Sequence, residues 1–381
     1  MRDLRRLVPM IVIGVVGNSV IYIVPLLVGG MVTDRGFDEQ LAGFMVSADL
    51  GGYAVATLVA AALVGRVSWQ RMALAAVLLM VAANFATTFI HDSVPFAIAR
   101  VASGMGCGIL AALAAVAVGQ TEEPDRNYGV LLAVTLLYGT AALWTLPFLI
   151  GRFGLSAAYW LIAGCALATL PLIRWLPPRR PAQAAAAPLA GRSRWWLAGL
   201  VLGSILLFWA SQNDVYAYAE RIGAAAGLTP EFIGFSLGAA NLTGFVGAAL
   251  VAFLGTRFGR FWPLVAATVG QVACLGVLMH AVDSTSYLTA IALLALCWNI
   301  VNPFQLGILA LVDTTGSALA LAATVTGVGL AAGPALAAIA VAIGRYAGVL
   351  WVAIALAIAS LLLLLPALRA GRDGRAVAGS R

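Results

Sequence analysis

Long apolar runs recur from one end of the chain to the other, and short segments carrying arginine or turn residues separate them. A membrane-crossing helix needs about 20 apolar residues. The pattern predicts twelve such helices, over 7–32, 41–64, 72–90, 94–119, 128–150, 155–176, 195–220, 233–254, 261–279, 288–312, 319–343 and 349–368. Polar residues inside these runs are few, so each one needs an explanation. Asp49 lies near the middle of the second run and Arg100 near the outer end of the fourth. An intramembrane charge costs roughly 2.5–3.5 kcal/mol on insertion scales.

Composition agrees with the pattern. Of 381 residues, 62% are hydrophobic and 10% charged, and the mean hydropathy is +1.00. A soluble domain needs more charge than this to cover its surface. The net charge of +7 comes entirely from arginine, as there is no lysine. The arginines fall in the short segments, where the positive-inside rule accounts for them better than a nucleic-acid-binding face does. Both termini are therefore expected on the cytoplasmic side of a cell membrane of the bacterial inner-membrane type. The first apolar run is too long for a signal-peptide core and reads as a retained helix. Cys107, Cys165, Cys274 and Cys297 lie within apolar runs without metal-ligand spacing, so buried free thiols are expected. No phosphate-binding loop, nucleophile elbow or zinc signature is present, which leaves no residue support for an enzyme, a catalytic residue, a metal or a cofactor.

The chain divides near its midpoint. The Pro/Ala/Arg stretch 177–194 reads as a cytoplasmic linker between a six-helix bundle at 1–176 and a second at 195–368, and 369–381 forms a tail. The two halves repeat. ADLGGYAVATLVA at 48–60 aligns without a gap over ANLTGFVGAALVA at 240–252, pairing Asp49 with Asn241 and Tyr53 with Phe245. A parallel six-helix repeat implies two bundles with the ligand near the membrane midplane.

With these features the chain resembles the major facilitator superfamily over essentially its whole length. Arg257, Phe258, Gly259 and Arg260 match the end of that family's loop motif G-x-x-x-D-R-x-G-R. Ala252 and Thr256 replace its first glycine and its aspartate. After the second helix only Arg66 fits, with Gly65 and Ser68 at the Asp and Gly positions. Arg100, Gly104 and Gly106 match the R-x-x-x-G-x-G pattern linked in the family to proton coupling. The family's antiporter signature is missing from the fifth helix, while a similar GLAAGP stands at 329–334. The resemblance implies an all-α transporter of twelve helices in two pseudo-symmetric bundles, with Arg66, Arg257, Gly259 and Arg260 in gating loops.

Several residues are candidates for chemistry. At 1.5 Å per residue, Asp49 lies about 12 Å and Arg100 about 9 Å below the outer surface, which makes them natural partners. They read either as a protonation switch or as a static ion pair. In the switch, protonated Asp49 frees Arg100 for an anionic substrate group or changes which way the cavity opens. Asp214 reads either as a gate or vestibule residue or as part of a wet, solvated helix end in the locally polar stretch SQNDVYAYAER, and Glu220 with Arg221 as a solvated pair. Asn18 and Asn241 are candidate substrate contacts or interhelical hydrogen-bonders. Trp298, Asn302 and Gln305 share one helical face, flanked by Asn299, and read as cavity lining. Tyr138 and Trp144 are weaker candidates. The GxxxG pairs Gly104/Gly108 and Gly329/Gly333 are expected to pack helices closely.

The reading is a secondary transporter, expected as a monomer, that moves a small organic solute by alternating access. Proton coupling and export are the expected particulars. Import of an organic anion on Arg100 and a non-transporting membrane sensor are the alternatives.

Overall fold

The computed structural model describes residues 2–176, 195–255, 257, 259–280, 282–313 and 317–378, so the proposed linker at 177–194 lies outside the described residues. The described residues form thirteen helices: α1 (Arg2–Gly17), α2 (Ser19–Thr33), α3 (Glu39–Leu63), α4 (Trp69–Phe89), α5 (Ser93–Gly119), α6 (Pro124–Phe153), α7 (Ser156–Ala168), α8 (Leu170–Ile173), α9 (Trp195–Ala225), α10 (Pro230–Leu254), α11 (Phe261–His280), α12 (Ser284–Val312) and α13 (Ser317–Ala378).

These helices map simply onto the hydropathy pattern. α1 and α2 make up one span, Leu7–Thr33, interrupted at Asn18. The short α8 continues the span that α7 begins, Ser156–Ile173. Eleven segments are long and apolar enough to cross a membrane, and the last, Leu321–Arg369, has 49 residues. At 1.5 Å per residue that is about twice the thickness of a hydrocarbon core. Its helical dihedrals break at Gly344 and Arg345, where Arg345 takes φ 52°. The eleventh and twelfth predicted spans lie on either side of this break, and the protein is a multi-pass membrane protein.

Polar residues set the helix ends. Asp38 caps α3 by accepting from the Leu41 N–H at 2.6 Å, and Ser68 caps α4 through the Arg71 N–H. Asp283 and Ser286 form a reciprocal capping box on α12. Gly154, at φ 69°, ends α6, and the next N–H, of Leu155, donates to Asp34 Oδ2 at 2.6 Å. Large apolar side chains such as Val94, Ile98, Phe148, Phe253 and Ile343 stay exposed along the spans, as lipid-facing positions do.

The chain forms two compact units, residues 1–183 with 216–238, and residues 184–215 with 239–381. The division passes between 183 and 184, within the range read as the linker, and also cuts α9 between Val215 and Tyr216 and α10 between Gly238 and Ala239. In the first unit, the outer half of α9 is tied to the early helices. Tyr216 donates to the Tyr22 carbonyl and Tyr218 to the Glu39 carbonyl, both at 2.6 Å. Trp144 stacks on Phe235 and donates to its carbonyl at 3.2 Å, so it serves to pack α6 against α10.

The sequence repeat reappears as packing. α3 and α10 each run for 25 residues. In the first unit Gly52 lets α3 lie against the Val101 carbonyl of α5. In the second, Gly244, which the repeat aligns with Gly52, lets α10 lie against Asn299 and the Ala295 carbonyl of α12.

Candidate functional site

The first unit holds a buried polar network built by four helices. α5 supplies Arg100, which has no exposed surface, and α3 supplies Asp49, which is 1% exposed. Arg100 donates to Asp49 Oδ2 at 3.3 Å. Two residues one turn apart on α4 accept from Arg100 Nη2, Thr87 Oγ1 at 2.7 Å and Asn84 Oδ1 at 3.1 Å, while Nε has no partner among the described residues. The guanidinium also lies 4.4 Å from the centre of the Tyr159 ring on α7. Asn84 is fixed in turn, since its amide donates to the Met80 carbonyl at 2.8 Å and to Ser103 Oγ at 2.9 Å.

Glycine makes this arrangement sterically possible. A Cβ at Gly104 would collide with the backbone carbonyl of Asp49, and one at Gly108 with that of Tyr53. Because α3 presses against bare α5 backbone, the short Asp49 side chain comes within reach of Arg100. The GxxxG pair therefore performs the expected close packing, and it positions the acid as well.

The network extends toward the helix break in the first span. One turn beyond Asp49, Tyr53 donates to Asn18 Oδ1 at 2.9 Å, while the Asn18 amide satisfies the Gly14 carbonyl at 2.8 Å. Asn18 is thus an interhelical hydrogen-bonder at the junction of α1 and α2. Tyr138 on α6 is partly buried.

The second-unit candidates separate. Gln305 has no exposed surface and bonds Ser204 of α9 at 3.0 Å and Ser360 of α13 at 3.2 Å. Trp298 packs edge-on to Trp209 of α9, with ring centres 5.2 Å apart. Gln305 thus sits inside the second unit, while Trp298 is partly buried and packs against that unit's apolar core. Asn299 bonds the Ala295 carbonyl at 2.9 Å and borders Gly244 of α10. Asn302 and Asn241 are partly buried.

Asp214 is fully buried and Ser211, Gln212 and Asn213 are buried beside it, so this part of the stretch is not the solvated helix end the sequence allowed. Glu220 and Arg221, expected in solvent, form a largely buried pair at 2.6 Å, and the Glu220 carboxylate packs on Gly29 of α2. Among the loop residues, Arg66 and Arg257 are exposed. Gly259 takes φ 70°, a conformation that favours glycine. Arg260 approaches Gly307 of α12.

Sequence reasoning missed Asn84, Thr87, Ser103 and Tyr159 as partners of the ion pair. The signal for two of them was present: Asn84 and Thr87 are three residues apart in an apolar helix and so share a face. The described residues contain no group of three or more His, Cys, Asp or Glu able to hold a metal, and the four cysteines are free thiols.

A polytopic helical protein with an internal repeat and a buried charged pair within its apolar spans has the plan of a membrane carrier. The chain belongs to the Major Facilitator Superfamily, whose family model matches residues 10–315. Three solved structures share the fold. A peptide transporter POT in complex with sulfate is 14% identical at TM-score 0.74, over 97% of this chain and 95% of that one. A D-xylose-proton symporter is 13% identical at TM-score 0.73, over 96% and 98%. The POT family transporter PepTSo is 12% identical at TM-score 0.75, over 97% and 98%. A search of curated proteins finds no significant match. The protein is a secondary transporter.

Proposed function

We propose that this transporter moves a small organic solute by alternating access and couples the movement to protons through Asp49. The observation that carries the reading is the asymmetry of the ion pair. Arg100 is fixed by α4 and α7 independently of Asp49, through Thr87, Asn84 and Tyr159. Asp49 Oδ1 has no hydrogen-bond partner among the described residues, and Oδ2 has Arg100 alone. Taking up a proton converts the carboxylate to a neutral acid and removes the charge attraction to the guanidinium, leaving a neutral hydrogen bond at most, while Arg100 stays in place. The helix loosened is α3, whose hold on α5 then rests on close packing at the glycines and at most a neutral hydrogen bond. Intramembrane ionisable residues are functional by default, which favours this reading over a purely static pair.

Full burial and four contacts make Arg100 a poor receptor for a substrate carboxylate, so the organic-anion import reading loses its support. Asn18, Tyr138, Asn241 and Asn302 are partly buried, polar or aromatic, and carry no fixed charge. Uncharged candidates of this kind within each unit favour an amphipathic solute over an ionic one, and export is the direction we favour. The arginine distribution supports a bacterial inner-membrane-type location with cytoplasmic termini, and a monomer suffices for the mechanism.

The test uses proteoliposomes with an imposed pH gradient and a panel of fluorescent amphipathic dyes, dipeptides and D-xylose. At least one probe should move in response to the gradient. Asp49→Asn should abolish gradient-driven movement of that probe and retain its counterflow. An unchanged pH dependence in Asp49→Asn would overturn the assignment.

A further inference from the structure

We propose that Asp214 is a second proton-carrying acid of this transporter, neutral while α9 is seated as it is here and losing its proton to water when that seat opens. The inference deepens the proton-coupled reading and rests on it for its purpose.

Asp214 and Asp49 are alike in burial and opposite in company. Asp49 has Arg100, but neither Asp214 oxygen has a hydrogen-bond partner among the described residues, and no ion pair there includes it. A buried carboxylate without a cation or a donor is far more costly than the neutral acid. Part of the surface packed beside it is bare backbone. Gly329 of α13 lies against the Leu206 carbonyl and Trp209, and Gly333 lies against the Ala210 carbonyl and the Asp214 backbone nitrogen. Two glycines bring bare backbone onto this face of α9, where a longer residue could have carried a donor.

The ionisable groups around α9 do not supply a counter-charge. α13 has none from Ser317 to Ile343, and past its break, on the half that meets α9 at Ala353, Arg345 is exposed and Tyr346 partly buried. α11, which reaches α9 through Gln271 and Ser211, carries Cys274, and α12 carries Cys297. From α2 and α3 come Tyr22 and Glu39, whose carbonyls accept from Tyr216 and Tyr218 of α9 itself. Further along α9, Arg221 is bonded to Glu220 by two of its nitrogens.

Position gives the acid a consequence. α9 belongs to one compact unit through Val215 and to the other from Tyr216, so Asp214 lies one residue before the division. Polar atoms of Trp209, Gln212 and Asn213, within five residues upstream, also lack partners among the described residues. This segment is better satisfied by water than by its present surroundings. Loss of the Asp214 proton to water leaves a carboxylate that must be hydrated, and hydration requires the seat to open.

Infrared spectroscopy of the full chain in proteoliposomes tests the protonation directly and needs no substrate. Wild type at neutral pH should show a free-acid carbonyl band that shifts in D2O. Asp49→Asn should keep that band, and Asp214→Asn or Asp214→Ser should lose it. No such band in wild type, or an undiminished band in both Asp214 variants, would overturn the proposal. Hydrogen exchange over 216–225 supplies the mechanical readout. Corrected for intrinsic rates, its protection should fall about tenfold as pH rises in wild type and stay constant in Asp214→Asn. Equal pH dependence in the two would also overturn it. Failure of Asp49 coupling with the band intact would overturn the Asp49 assignment and leave Asp214 standing.

Discussion

Arg100 lies closer to Thr87 than to Asp49, 2.7 Å against 3.3 Å. The shorter bond is to a neutral hydroxyl on α4, and the longer one is to the charge on α3. Arginine is therefore the anchored member of the pair and aspartate the responsive one. This ordering decides how each should behave when removed.

Replacing Arg100 with Ala leaves a buried carboxylate uncompensated and orphans Thr87 and Asn84. Breaking a buried pair in this way costs about 3–5 kcal/mol. Asp49→Asn costs less, since the amide oxygen still accepts from Arg100 and the guanidinium keeps its other partners. Thermal unfolding of the purified variants in one detergent should rank wild type, Asp49→Asn and Arg100→Ala in falling order. The reverse order for the two variants would make Asp49 the anchor.

Two glycines on opposite sides of the α3–α5 contact should respond differently to the same added methyl. At Gly104 it meets the Asp49 backbone carbonyl, which cannot move aside without shifting α3, while at Gly51 it meets open space. Overpacking typically costs about 1–3 kcal/mol. Gly104→Ala should thus lower thermal stability and weaken the Asp49–Arg100 contact. Gly51→Ala should be neutral or slightly stabilising, because alanine favours a helix by up to about 1 kcal/mol over glycine. Equal effects at the two sites would mean that α3 and α5 do not touch as described.

Much of this was legible from the chain. Membrane helices satisfy their backbone internally, so apolar run length gave the spans, and the Asp49–Arg100 pair followed from matching depth. What could not be read was the direction in which each polar face points. Gln305 and Trp298 share a helical face, but only the position of α9 decides whether that face meets a cavity or a core. The SQND segment looked wet because it is polar, yet Gly329 and Gly333, a hundred residues away, close over part of it. Glu220 likewise appeared solvated until Gly29 of α2 supplied the bare surface it packs on. Span and depth are one-dimensional quantities, whereas helix rotation is set by contacts distant in sequence.

Gln305 offers a test of that distinction. Its amide holds Ser204 and Ser360, joining three helices inside the second unit. Interhelical hydrogen bonds in membranes average about 0.6 kcal/mol and reach about 1.7. Gln305→Leu should lower stability by an amount in that range and leave the apparent affinity for any transported probe unchanged. A large change in affinity without loss of stability would return Gln305 to the cavity.

The cap on α12 should be sensitive to acid. Hydrogen bonds from the backbone and side chain of Ser286 hold the Asp283 carboxyl below its ordinary range, and it lies outside the spans. A carboxylate lowered on folding stabilises the folded state above its unfolded value, near pH 4. That contribution disappears as pH falls through the lowered value. Amide exchange over the first turn, Ser284 to Tyr287, should therefore quicken on acidification once intrinsic rates are removed. In Asp283→Ala it should already be fast at neutral pH and change little further. An acid response of the same size in Asp283→Ala would place its origin elsewhere than this carboxylate.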